Sequence, residues 1–177
     1  PLELEGRDIY IKEGCVSCHS QMVRPFRSET ERYGEFSKSG EFIYDRPFLW
    51  GSKRTGPDLH RVGGKYPHSW HYNHMLDPET MSPGSIMPPY PWLLENDIDT
   101  AYTAAKIRVL QTLNTPYPKG FDQIAVAKLK SQAKEVAEGL KEQGIEQEQL
   151  ENKEIVALIA YLQRLGTDIK PKATTSK

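Results

Sequence analysis

The only two cysteines of the 177-residue chain stand three apart and are followed at once by histidine, in Gly14-Cys15-Val16-Ser17-Cys18-His19. This is the C-x-x-C-H pattern of covalent c-type haem attachment. Shuffling the composition reproduces such an arrangement only about once in 3,000 trials, so coincidence explains it poorly. The spacing has a mechanism. On a helical turn, residues three apart share a face, so Cys15 and Cys18 can add to the two vinyl groups along one edge of a porphyrin. His19 then comes under the ring with an imidazole nitrogen free for iron.

Three other chemistries use similar residues. A thioredoxin-like dithiol expects a βαβ setting, and the flanks here read as helix followed by irregular loop. A zinc site needs further ligands, for which His68, His71 and His74 are the candidates. A disulfide across two intervening residues closes too small a loop to stabilise much.

A haem also answers a compositional deficit. Swapping the 9 Tyr for the 13 Gly in the 37% hydrophobic count gives about 39%, below the roughly 45–50% of an average soluble domain. Burial of a porphyrin at about 25 cal/mol per Å² replaces several missing side chains. Lys and Arg total 23 against 24 Asp and Glu, which leaves no basic face for nucleic acid. The longest apolar run, Ile155 to Leu162, is far short of the roughly 20 residues that span a bilayer, and mean hydropathy is −0.64. The chain as given therefore reads as soluble. It begins at Pro1 without a leader pattern, so any targeting or anchoring segment is expected to lie outside it.

An electron-transfer haem needs a second strong axial ligand, and methionine opposite histidine raises the potential. Met22 is too close to His19 to reach the opposite face, and Met75 falls in a helical stretch where packing is its expected role. Met81 and Met87 share the segment Met81-Ser82-Pro83-Gly84-Ser85-Ile86-Met87-Pro88-Pro89-Tyr90-Pro91-Trp92. Pro88 and Pro89 stiffen an extended path beside Met87, and a rigid strap holds a weak thioether at little entropic cost. Met87 is the preferred ligand, with Met81 the reserve.

Periodicity predicts a mainly α chain. Helices are expected over residues 4–14, over 69–77 up to Pro78, and from an N-cap at Asn96 or Asp97 with Ile98, Tyr102, Ala105 and Val109 on its apolar line. A charged helix fills 121–143, and a last helix runs from Asn152 to Leu165 with Ile155, Leu158, Ile159 and Leu162 on one face. The chain reads as one domain, 1–170, with a charged helical insert at about 121–150 and a disordered tail at 171–177. Residues 20–54 form a long irregular connection holding Phe26, Tyr33, Phe36, Phe42, Tyr44, Phe48 and Trp50. Its aromatics are expected either to roof the haem or to dock on a partner. Arg24 and Arg54 are candidates to pair with haem propionates. His60, His68, His71 and His74 are expected at the surface or as caps.

Residues 6–26, Tyr33-Gly34, Trp50 to Leu59 and Met87 to Leu93 together resemble the mono-haem cytochrome c subunit of cbb3-type cytochrome c oxidases. The resemblance implies a class I cytochrome c fold, whose first and last helices cross beside the haem with Gly6 near Tyr161. It implies that Gly56-Pro57-Asp58-Leu59 matches the Gly-Pro-x-Leu loop whose proline carbonyl, here that of Pro57, orients the ligating histidine. It places one covalent haem c, with its iron, on the periplasmic side. Electrons would come from the di-haem cytochrome c subunit or a soluble donor and pass to the membrane haem-copper catalytic subunit, where oxygen chemistry occurs; no catalysis is expected of this chain alone. The family normally carries a membrane anchor or is fused to the catalytic subunit, and this chain shows neither. Two readings compete: a freely diffusing periplasmic cytochrome c carrier, and a haem sensor or enzyme with an open sixth position.

Overall fold

A computed structural model describes residues 1–168, so the tail expected at 171–177 lies outside the described residues. Seven α-helices are joined by irregular chain and short 3₁₀ turns, with no strand among the described residues. They are α1 (Leu2–Lys12), α2 (Arg27–Tyr33), α3 (His68–Leu76), α4 (Pro78–Met81), α5 (Thr103–Thr112), α6 (Phe121–Glu142) and α7 (Glu154–Arg164). The mainly α expectation holds.

The framework is the crossing of α1 on α7. Apart from a half-buried Ala160, α7 is buried continuously from Glu154 to Leu162, and its apolar residues form the centre of the main core with Leu2, Ile9 and Tyr10 of α1. Gly6 makes the crossing possible. A Cβ there would overlap the Ala157 carbonyl and stand 2.8 Å from Tyr161 Cβ, so only hydrogen fits between the two backbones. The neighbouring rings Tyr10 and Tyr161 pack at 5.5 Å, and the Tyr161 hydroxyl exchanges hydrogen bonds with the Gln21 side chain.

The first helix ends sooner than the sequence pattern predicts, because Gly14 takes a left-handed conformation (φ 72°) that turns the chain into the 3₁₀ turn Cys15–Ser17. The third helix matches its expected span. Asp77 then caps α4, accepting from the backbone N–H of Glu79 and Thr80.

The helix expected from Asn96 or Asp97 is a correction. That stretch is held extended against the entrance of α7: Ile98 N–H donates to the Asn152 carbonyl at 2.8 Å and Glu154 N–H to the Asn96 carbonyl at 2.9 Å. The helix begins only at Thr103, which rotates its inward face to Thr103, Ile107 and Leu110. Tyr102 and Val109, expected on the apolar line, are 67% and 59% exposed. The charged helix α6 lies against α5, α1, α3 and α7, burying Ala125, Leu129, Ala133 and Leu140 along one stripe. The connection 20–54 is not pattern-free. It contains α2 and the turn Ser39–Phe42, and buries Phe42 while Phe26, Phe36 and Phe48 stay exposed.

Candidate haem site

The left-handed Gly14 and the turn after it fold Cys15 and His19 into one coil of chain: Cys18 N–H and His19 N–H both donate to the Cys15 carbonyl, at 3.1 and 2.9 Å. Burial pushes the Cys15 thiol up to about 12. Cys18 is exposed, and neither cysteine forms a disulfide.

The His19 ring is fixed from behind. Its Nδ1–H donates to the Pro57 carbonyl at 2.8 Å, because a carbonyl can only accept. The tautomer that results leaves Nε2 with a free lone pair, which is the form a metal needs. Burial also lowers the His19 pKa, the Pro57 bond opposing it, so the imidazole favours the neutral state. Gly56 is required here because a Cβ would run into the ring, standing 2.8 Å from Nδ1 and 2.9 Å from Nε2.

The strap that carries Pro57 is tied on both sides. Gly56 N–H donates to the Cys18 carbonyl at 3.0 Å and Leu59 N–H to the Ser20 carbonyl at 2.8 Å. Between them Asp58, its carboxylate fully shielded, accepts from Ser20 Oγ (2.6 Å), Met22 N–H (2.8 Å) and His60 N–H (2.9 Å). Arg54 closes this knot, donating to Ser20 Oγ (2.6 Å), the Met22 carbonyl (3.0 Å), Glu29 (2.8 Å) and Asp58 (3.3 Å). The Arg54 and Arg24 bonds hold the Glu29 carboxyl well below its ordinary range, at about 2.

His19 lines a cavity of about 560 Å³ between the Cys15–His19 turn, the Thr55–Leu59 strap, α3, the Ser82–Tyr90 segment and the Leu158 and Leu162 side chains of α7. Met87 and Met75 line it; Met81 and Met22 do not. Met75 packs inside the main core from α3, whereas Met87 is half-buried on the proline-stiffened strap. The structure thus brings together Cys15, Cys18, His19, Pro57 and Met87.

Two sets of expectations are corrected. Arg24 and Arg54 do not line this cavity but the hollow beside it, behind Thr55–Pro57, where Arg24 pairs with Glu29 and Arg54 with Glu29 and Asp58. Arg32, Arg61 and Lys65 line it instead. His60 and His71 are not surface residues. Both are buried, and burial pulls each pKa down to about 4. His60 donates or accepts toward Ser37 Oγ and stacks on Phe42 at 4.5 Å, while His71 and His74 line the cavity. Sequence reasoning gave Asp58 no role of its own and expected His71 at the surface. The first carried no signal beyond its place in the loop; the second shares a helical face with His74 and Met75, at spacings of three and four.

The residues fit a haem. The cavity pairs a pre-tautomerised imidazole with a thioether, has both cysteines at its edge, and leaves His71 Nε2 and His74 Nδ1 buried without partners. No grouping of three or more His, Cys, Asp or Glu able to hold a bare metal ion occurs among the described residues, which removes support from the zinc reading.

The family described as "Cytochrome C oxidase, mono-heme subunit/FixO" matches residues 1–169. The chain belongs to the FixO family. The FixO match covers nearly the whole chain, including α5 and α6, and makes it a mono-haem subunit of a cytochrome c oxidase with a mainly α, cytochrome c-like fold. Among curated proteins no relative matches it. Oxidase subunits of this family are membrane-associated, and no described helix of this FixO chain is long and apolar enough to cross a membrane.

Proposed function

We propose that this subunit binds one haem c through thioethers at Cys15 and Cys18, with His19 and Met87 as axial ligands, and relays electrons to the membrane catalytic subunit of a cbb3-type oxidase. The observation that carries the reading is that His19, Met87 and both cysteines border one cavity. When bound, the haem supplies reversible one-electron exchange between Fe(III) and Fe(II). The protein's part is to hold the ligands and keep water out. Pro57 orients His19, Gly56 gives its ring room, and the Pro88-Pro89 strap presents Met87. Leu59, Val62, Leu158 and Leu162 give the cavity an apolar side that lowers the local dielectric.

Residues 1–170 act as one cytochrome domain with the charged helix as an insert, on the periplasmic side where c-type haem is attached. Electrons arrive from the di-haem subunit or a soluble donor. The exposed Phe26, Phe36 and Phe48 offer a docking face toward the membrane subunit.

A visible spectrum and pyridine haemochrome of the purified protein test the cofactor. A colourless, folded preparation with both thiols titratable would end the proposal. Met87→Ala should abolish the long-wavelength sulfur-to-iron band and open the reduced protein to carbon monoxide, while Met81→Ala and Met75→Leu keep the band. The reverse pattern moves the ligand elsewhere.

A further inference from the structure

His71 sits on the cavity face of α3 with 2% of its surface exposed, and its Nε2 has no hydrogen-bond partner. A buried polar atom left unpaired costs about 1–3 kcal/mol, and folded proteins seldom leave one so. Its ring is held edge-on by Trp70 (5.4 Å, 90°) and Tyr66 (6.1 Å, 84°), on a helix rather than a loop. That is the preorganisation expected of a ligand-binding side chain.

We propose that His71 Nε2–H donates a hydrogen bond to a propionate of the haem, fixing the orientation of the acidic edge of the porphyrin toward α3. The proposal rests on the haem reading above. A haem has polar atoms in two places only, the iron and the carboxylates. His19 and Met87 account for the iron, so an unpaired donor in the same cavity is left with the carboxylates. The arginines that sequence alone nominates are engaged elsewhere: Arg24 with Glu29, Arg54 with Glu29 and Asp58. Of the cations that line the cavity, Arg61 is paired with both carboxylate oxygens of Glu41, and Arg32 and Lys65 lie over the Tyr33 and Tyr66 rings at 5.0 and 5.2 Å. Burial beside His68 and His74 keeps the His71 ring neutral, so it brings a donor without adding a charge. His74, one turn on, stacks on Trp70 at 4.6 Å and walls the same side.

The test uses haem-loaded protein. His71→Leu should lower the midpoint potential, because a carboxylate that loses its donor is more electron-rich and favours Fe(III). A threefold to tenfold change in the one-electron equilibrium is expected, up to about 59 mV. The propionate bending band in the resonance Raman spectrum should move, and the sulfur band should stay. His71→Gln, which keeps an N–H donor, should restore potential and Raman band together. An unchanged potential and propionate band in His71→Leu overturns the proposal. Loss of the low-spin six-coordinate spectrum overturns it too, by making His71 an axial ligand. Should His71→Leu fail to accumulate, the reduced ¹⁵N-labelled wild type decides: a slowly exchanging Nε2 proton near the propionate methylenes supports the assignment, and its absence refutes it. A colourless wild type would sink the haem reading instead, a distinct outcome.

Discussion

The wall that carries His19 and the strap that carries Met87 face each other across one cavity but are held by different means. Behind His19, backbone bonds from Gly56 and Leu59 flank the Pro57 carbonyl, and the buried Asp58–Arg54 knot locks the loop onto residues 20–22. The Met87 strap has fewer anchors to the rest of the molecule: Tyr90 N–H on the Met75 carbonyl at 2.7 Å and Trp92 Nε1–H on Glu13 at 3.0 Å. Beside Met87, Ile86 is 79% exposed. Under the ligation proposed above, the difference assigns separate jobs. A strong, tautomer-specified ligand needs a fixed ring, so stability is invested behind the histidine. The weak thioether needs only to be kept close, and proline stiffness does that without a dense bond network.

If this contrast is right, the largest damage follows from touching the fixed wall. Gly56→Ala puts a methyl into the His19 ring, which cannot yield while Nδ1 is held by Pro57. A destabilisation of about 3 kcal/mol, the upper end of overpacking costs, should appear in urea melts. A loss of low-spin haem spectrum in whatever protein accumulates should accompany it. A variant with normal spectrum and stability would show that the wall is soft. Next in size is Arg54→Leu. Among the described residues it removes the one cation paired with the buried Asp58 and leaves Glu29 with Arg24 alone, and breaking such a pair costs about 3 kcal/mol or somewhat less given the partial exposure of Arg54. The same substitution should leave the sulfur band of the surviving haem protein in place, because the Met87 strap is not attached to the knot.

The fixed wall was also the more legible one. Cys15, Cys18 and His19 are read from the chain because their spacing suits thioether attachment, whereas Gly56-Pro57 by itself is a turn signal and takes its role from the family resemblance. The α1–α7 crossing comes from the family resemblance too: α7 carries a continuous apolar run, but no periodicity pairs it with Gly6. What sequence could not give was competition between partners. Nothing local tells that Glu29 and Asp58 take up Arg24 and Arg54, or that residues 96–98 pair with 152–154 and delay α5 until Thr103. His71 was misplaced because imidazole reads as polar. Here the ring is buried against Trp70 and Tyr66, and its Nε2 has no partner among the described residues.

Acid should loosen the fixed wall before the strap. The Glu29 carboxyl is lowered from 4.5 to about 2, chiefly by the Arg54 bond, so its contribution is complete above about pH 4.5. It is lost as pH falls toward about 2, when the folded form must take up the proton. A loss on the order of 1 kcal/mol over that window is expected for a partly screened pair. Glu29→Gln should flatten this part of the pH–stability curve measured by urea midpoints. An acid limb identical to wild type would mean that Glu29 is not what holds Arg54 in place.

The smallest effect should come from the strap itself. Trp92→Phe keeps the ring and deletes the donor to Glu13, a bond at the surface worth about 0.5–1 kcal/mol. Because the Met87 segment makes few hydrogen bonds to the rest of the molecule, the loss should fall on local opening rather than on global unfolding. Imidazole added to the oxidised protein samples that opening, since it enters only when the thioether has moved away. Its apparent affinity should therefore rise by about twofold to fivefold, the same free energy read as a binding ratio, while the urea midpoint stays near wild type. If instead the midpoint fell as far as in Arg54→Leu and imidazole bound no better, the two sides of the cavity would open as one unit. Met87 would then belong to the fixed wall after all.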